Sequence, residues 1–240
     1  MEIQIAAAKI NKYFSPESGD SLEFVERPSG GISIVLSDGM TSGREAKAIS
    51  SMVVRKTISL LAEGVRDGAA ARAASDHLYT ERNGMEPAYL NILSVDLQTS
   101  TIVITRNNPT PVFISQRERI ECLAGEASPI GISRNIRPAI SEIPLENNTT
   151  IIMYTDGLAA AGSRYSQSID LCTLLESLLE DQEPSSQEIA DSILAQAVRL
   201  DQGQPGDDMS LVVLRVLSSE TDYIRRMTVR LPVYTDSSVS

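Results

Sequence analysis

Aspartates at the ends of apolar strands are the residues of this chain best suited to chemistry. Asp38-Gly39 follows the run Ile32–Ser37, Asp156-Gly157 follows Thr149–Thr155, and Asp207-Asp208, preceded by Gly206, opens Met209–Leu217. Gly19-Asp20 repeats the design at the mouth of the first loop. A carboxylate there contributes little to packing, because its charge is costly away from water without partners. The adjoining glycine lets the backbone turn sharply and brings a carbonyl oxygen close to whatever the carboxylate binds. Four carboxylates gathered at strand ends would repel one another unless a cation lay among them. Mg²⁺ and Mn²⁺ accept such carboxylate, carbonyl and water oxygens. Against this stands plain turn chemistry, since Asp-Gly after a strand is an ordinary turn. Asp67-Gly68 reads as a helix–helix connection and nothing more. The other sites differ in that each flanks an apolar strand.

Other templates fail. Cys122, Cys172 and the single His77 cannot assemble a zinc site of nitrogen and sulfur ligands. His77, with Arg72 and Asp76 nearby, reads as a surface or helix-end residue, so a serine nucleophile has no evident base. There is no Gly-x-x-x-x-Gly-Lys phosphate loop and no Gly-x-Ser-x-Gly elbow. The 240 residues carry 32 acidic against 21 basic side chains, a net charge of −11, which opposes binding to nucleic acid or an anionic membrane. No signal peptide or membrane-length apolar run is evident, and the two unrelated cysteines suit a reducing compartment, so a cytoplasmic location is expected.

The elements that must position the aspartates follow from periodicity. Strands are expected over Ile3–Ile10, Leu22–Arg27, Gly31–Ser37, Ala88–Asp96, Thr101–Arg106, Pro111–Ser115, Arg119–Leu123, Pro138–Pro144, Thr149–Thr155 and Met209–Leu217, with an edge strand over Met227–Val233. Helical spacing of Ala48, Met52, Val53, Lys56 and Leu60 predicts a helix over Arg44–Leu61, which Ser42 could cap. Further helices are expected over Ala69–Thr80, Ser168–Glu180 and Ser185–Leu200. This order is not a strict βαβ alternation, so an α+β fold of two mainly antiparallel sheets covered by helices is expected. No linker divides the chain: one domain over 1–233 and a polar tail over 234–240 are expected.

Taken together, Ser37-Asp38-Gly39-Met40-Thr41-Ser42-Gly43, Tyr154-Thr155-Asp156-Gly157-Leu158 and Gly206-Asp207-Asp208-Met209-Ser210 resemble the ordered signatures of metal-dependent serine/threonine phosphatases of the type 2C class. The likeness is to the bacterial branch typified by stage II sporulation protein E and the sigma-factor regulatory phosphatases. Ser18-Gly19-Asp20-Ser21 resembles its first motif. Asn108-Pro109-Thr110-Pro111, Ser128-Pro129-Ile130-Gly131 and the terminal Leu231-Pro232-Val233 are similar as well. The resemblance implies a four-layer α-β-β-α sandwich with two divalent cations, Mn²⁺ or Mg²⁺, at one edge of its sheets. Asp20, Asp38, the Gly39 carbonyl, Asp156 and Asp207 would be the ligands, and Asp208, where many relatives have Asn, a more distant member of the site. Thr41 stands where a glycine is common. The helix pair Arg44–Thr80 is similar to an element that in this branch couples partner contact to metal binding.

The implied activity is hydrolysis of phosphoserine or phosphothreonine on a regulatory protein by a water that the two metals activate. Lys9, Lys12 and Arg44 are candidates to hold the phosphate. The expected partner is a phosphorylated protein, such as an anti-anti-sigma-type regulator, and the helix Arg44–Leu61 offers a homodimer or partner surface. The alternative is a non-catalytic binding module of the same fold that regulates a partner by contact. A nuclease with the same metals is disfavoured by the charge and the lack of a basic stripe.

Overall fold

Alternating and β-branched runs become strands that pair in two separate sheets. The computed structural model describes residues 1–117, 119–180, 183–218 and 224–232. The first sheet contains β1 (Glu2–Ile10), β6 (Val112–Gln116), β7 (Arg119–Leu123), β9 (Thr149–Tyr154) and β10 (Met209–Leu217), in the order β1-β10-β9-β6-β7. The second contains β2 (Asp20–Glu26), β3 (Gly31–Gly39), β4 (Ala88–Asp96), β5 (Thr101–Asn107) and β8 (Ala139–Pro144), in the order β2-β3-β4-β5-β8. Every ladder is antiparallel. The sheets face each other across Leu36, Leu93, Ile104, Ile151, Val212 and Leu214, all buried. Each such side chain contributes on the order of 1.5–3 kcal/mol through burial.

Helices cover both outer faces. Against the second sheet lie α1 (Gly43–Ala62) and α2 (Asp67–Arg82), packed through Val35, Ile49, Val53, Leu61, Ala71 and Leu78. Against the first lie the short α3 (Asp156–Ala159), α4 (Leu171–Leu179) and α5 (Ser186–Leu200), through Leu158, Leu175, Ile189, Ile193 and Val213. The four-layer α-β-β-α sandwich is therefore the observed fold. Ser185 caps α5 in a box with Glu188, and Asp170 caps α4.

Several expectations change in detail. Residues 227–232 form no strand and are exposed, while Val233 and the 234–240 tail lie outside the described residues. Ser42 stands at the cap position of α1 but its side chain makes no capping hydrogen bond. The buried stripe of α1 is Ala46, Ile49, Ser50, Val53, Val54, Thr57 and Leu61, so only Val53 of the expected set is buried. Small and hydroxyl-bearing residues face the sheet there, and Thr57 satisfies its hydroxyl by donating to the Val53 carbonyl at 2.8 Å. Asp67 is no mere connector: it begins α2, is buried, and pairs with Arg27 at 2.7 Å. His77 lies within α2, half-buried, rather than at a helix end.

Candidate functional site

Antiparallel register places the first two aspartates together. Asp20 at the start of β2 is directly opposite Asp38 near the end of β3. Both residues lie inside their strands, not beyond them as the turn reading had it. From the first sheet, Asp156 begins α3 just after β9, and Asp207-Asp208 precede β10, the neighbour of β9. Three ligand candidates from the sequence, Asp20, Asp156 and Asp207, lie close enough to perturb Asp38 electrostatically. Strand ends from both sheets thus converge at one end of the sandwich.

Glycines permit this convergence by leaving out a side chain. A Cβ on Gly39 would lie 2.4 Å from the Ala46 carbonyl oxygen, so α1 can rest on the end of β3 only if residue 39 is glycine. A Cβ on Gly157 would lie 2.1 Å from the Asp208 carbonyl oxygen, so the start of α3 presses on the Asp207-Asp208 loop in the same way.

Asp20 is 1% exposed and spans the two sheets. Its Oδ2 accepts hydrogen bonds from Ser210 Oγ at 2.6 Å and Thr155 Oγ1 at 3.1 Å. Burial pushes its carboxyl up to about 6; the Ser210 bond opposes the rise and the Asp208 charge adds to it. Asp38 is pushed up to about 10, first by burial, then by the charges of Asp20 and Asp156. Asp156 is also raised by burial, opposed by its hydrogen bond with Asp38. Tyr89, opposite Asp38 on β4, has its phenol raised by burial and by Asp156 and Asp38. Among the described residues no three His, Cys, Asp or Glu side chains close around one point as ligands of an ion.

Asp208 serves a different purpose from its neighbours. Its Oδ1 accepts from the Lys12 backbone N–H at 2.9 Å and its Oδ2 from the Gly19 N–H at 2.7 Å. It therefore ties both ends of the β1–β2 loop to the loop before β10. The lysines are used just as specifically. Lys9 Nζ and Lys47 Nζ both donate to the Asp20 carbonyl, at 3.2 and 2.9 Å, and Lys47 also reaches Ser21 Oγ at 3.0 Å. Burial and the Lys47 charge lower the Lys9 ammonium. Lys9 and Lys12 thus meet the site through the backbone, while Arg44 is exposed in the first turn of α1.

Thr155, Ser210, Lys47, Tyr89 and Asp201 are members of the site or its support that sequence reasoning passed over. Asp201, buried at the end of α5, accepts from Gly162 N–H at 2.9 Å and Gly206 N–H at 2.7 Å, fixing the segment that carries Asp207. Thr155 and Ser210 do stand inside the quoted motifs, so adjacency to Asp156 and Asp208 was the available signal. The motifs around Asn108 and Ser128 serve packing: Asn108 Oδ1 accepts from Thr110 N–H at 2.8 Å, and Asn107 Nδ2 donates to the Ser128 carbonyl at 3.1 Å. A recess of about 330 Å³ lies elsewhere, lined by Ile114, Gln116, Arg117, Arg119, Glu121 and Ile143 and by none of these aspartates.

Two antiparallel sheets flanked by helices match the fold of type 2C phosphatase structures. The chain is similar to the phosphatase domain with a regulatory fragment of the Bacillus subtilis cell-fate determinant SpoIIE, with a TM-score of 0.77 and 23% identity over 90% of this chain and 64% of that one. It is also similar to the catalytic domain of the serine/threonine protein phosphatase PstP in complex with two manganese ions, with a TM-score of 0.69 and 14% identity over 90% and 99% of the two chains. Residues 28–217 match the model of the stage II sporulation protein E family, and the chain belongs to that family. Stage II sporulation protein E of Priestia megaterium is 25% identical over 199 residues, which are 83% of this chain and 34% of that protein. The chain thus spans about a third of the length of this curated relative.

Proposed function

We propose that the chain is a metal-dependent serine/threonine protein phosphatase that hydrolyses phosphoserine or phosphothreonine on a regulatory protein, such as an anti-anti-sigma-type regulator. The observation that carries this reading is the confrontation of Asp38 with Asp20, Asp156 and Asp207 across two sheets. So many acidic groups at partly buried strand ends are costly unless they serve a cation. Their hard oxygens suit Mn²⁺ or Mg²⁺, and the PstP neighbour is described with two manganese ions. Asp20, Asp38, the Gly39 carbonyl, Asp156 and Asp207 are the residues to hold such ions. When bound, a pair of divalent cations activates water and neutralises charge on a transferring phosphoryl group.

The chain's own residues prepare that site. Ser210 and Thr155 both donate to Oδ2 of Asp20 and so fix the orientation of that carboxylate. Asp38 and Asp156 would hold a cation as carboxylates, since metal affinity requires deprotonated ligands. Asp208 and Asp201 hold the surrounding loops, and Arg44 and Lys12, both exposed beside the cluster in sequence, offer positive charge to the phosphate. Water then replaces the serine oxygen on phosphorus, leaving a free hydroxyl and inorganic phosphate.

Hydrolysis of a phosphoserine peptide with Mn²⁺ and with EDTA tests this, alongside Asp38→Ala and Asp156→Asn. Activity should require Mn²⁺ and fall roughly 100-fold or more in either variant, as for removal of a charge-stabilising group. Full activity in EDTA, or in either variant, would overturn the proposal. Tight binding of a phosphoprotein without hydrolysis under any metal would show a non-catalytic binding module instead.

A further inference from the structure

The β1–β2 loop, residues 11–19, carries an aromatic pair that the fold does not bury. Lys12 to Ser15 form a turn closed by the Ser15 N–H donating to the Lys12 carbonyl at 2.9 Å, with Tyr13 and Phe14 at its tip. Phe14 is 89% exposed and Tyr13 44%. Their rings lie 4.0 Å apart, centroid to centroid, tilted by 49°. Phe14 also has a φ of +62°, at the turn position where glycine or asparagine is usual. A bulky side chain there is strained, and it gains almost no burial in exchange. Backbone strain retained without a packing benefit points to a role outside the fold.

The loop is held firmly despite its exposed tip. Asp208 accepts from the Lys12 and Gly19 N–H groups, and the Tyr13 N–H donates to the Pro205 carbonyl at 2.9 Å. Within the loop, Ser15 Oγ donates to the Glu17 carbonyl at 2.7 Å, and Asn11 Nδ2 reaches the Pro16 carbonyl at 3.4 Å. The aromatic tip is thus fixed to the segment that carries Asp207 and runs directly into Asp20. Met40, next after Gly39, is exposed as well at 44%.

We infer that Tyr13 and Phe14 form a docking platform for the substrate polypeptide, taking an apolar side chain beside the phosphorylated residue. This rests on the phosphatase reading and adds a preference to it. The exposed rings themselves ask for an apolar occupant, and a chain of net charge −11 does not attract a phosphorylated protein by its overall field, so local contacts must supply affinity. Exposed, rigid aromatic rings are the side chains that most often anchor such contacts.

Phe14→Gly and Phe14→Ser test the platform, because glycine accepts the φ of residue 14 and removes only the ring. Three probes separate the outcomes: p-nitrophenyl phosphate, a phosphoserine peptide flanked by leucines, and the same peptide flanked by glycines. With Mn²⁺, both variants should hydrolyse p-nitrophenyl phosphate like the wild type. They should lose about tenfold in kcat/KM on the leucine peptide and change little on the glycine peptide, and Phe14→Gly should melt higher than the wild type. Equal loss on all three probes would overturn the inference by showing that residue 14 merely supports the site, and no loss on any would overturn it outright. A change from dimer to monomer in either variant, with peptide kinetics intact, would assign the ring to self-association instead. If the wild type hydrolyses nothing, fluorescence binding of the two peptides still decides the platform, since only a docking role predicts selective loss of leucine-peptide binding.

Discussion

The two helical layers of the sandwich support the same site by different means. On the first sheet, α5 packs through Ile189, Ala190, Ile193 and Ala197, an apolar stripe that any well-patterned amphipathic helix would show. Its link to the aspartates is Asp201 at its end, which holds the Gly206 N–H just before Asp207. On the second sheet, α1 works at close quarters. Its Ala46 backbone rests on Gly39, Lys47 holds the Asp20 carbonyl, and Ser50 and Ser51 share the Ser21 hydroxyl at 2.9 and 3.0 Å. Both layers pack through apolar cores, but α5 joins its sheet by side-chain volume, whereas α1 adds polar contacts and a close approach over Gly39. Substitutions in the α5 stripe should therefore cost mainly stability, and those where α1 meets Gly39 mainly activity.

Gly39→Ala is the substitution expected to separate the layers most. Its methyl would meet main-chain atoms of α1, which cannot step aside alone, so the Asp38 loop must shift. Activity should fall roughly 100-fold or more, since misplacing a catalytic constellation by about 1 Å has that effect. Ile193→Ala should do the reverse. It deletes a fully buried side chain and should lower unfolding stability by about 2–5 kcal/mol, while activity per folded molecule stays near that of the wild type. Urea denaturation paired with phosphopeptide kinetics reads both. Equal losses of activity in the two variants would erase the proposed distinction.

A smaller effect comes from the carboxyls themselves. Asp20 and Asp38 have an ordinary value of 3.8 but are raised to about 6 and about 10. Between the unfolded and folded values the native state holds protons that the unfolded chain releases, so stability falls as pH rises. The Asp20 contribution is present at low pH and lost through about 6; that of Asp38 declines onward toward 10. In EDTA the protein should melt higher at pH 5.5 than at pH 8. Saturating Mn²⁺ should raise the melting temperature more at pH 8 than at pH 5.5, because protons compete with the ion. A melting temperature that climbs with pH in EDTA would mean that neither burial nor neighbouring charge raises these carboxyls.

Much of this was legible in the sequence, for reasons the contrast explains. Strands such as Ile32–Leu36 and Thr149–Tyr154 are largely apolar and rich in β-branched residues, and α5 has a regular stripe, so hydrophobic patterning located them. The Asp-Gly pairs located the acidic strand ends. What patterning could not locate was α1's buried face, because Ala46, Ser50 and Thr57 look solvent-facing by hydropathy. Nor could it separate Asp208, which clamps two backbone N–H groups, from Asp207 beside it. The partners of Asp20, Thr155 and Ser210, come from the opposite sheet, 135 and 190 residues away in the chain. No local pattern encodes such a contact. Similarly, Asp67 read as a connector because its partner Arg27 is 40 residues distant.

In the proposed function, aspartates from two sheets form one site for divalent cations. Calorimetric titration of Mn²⁺ at pH 8 into the wild type and into Asp38→Asn tests it most directly. Saturable binding with proton release is expected in the wild type, and loss of that binding in Asp38→Asn, which keeps the shape of the side chain and removes its charge. Binding of equal affinity and stoichiometry in both, or none in the wild type, would contradict it.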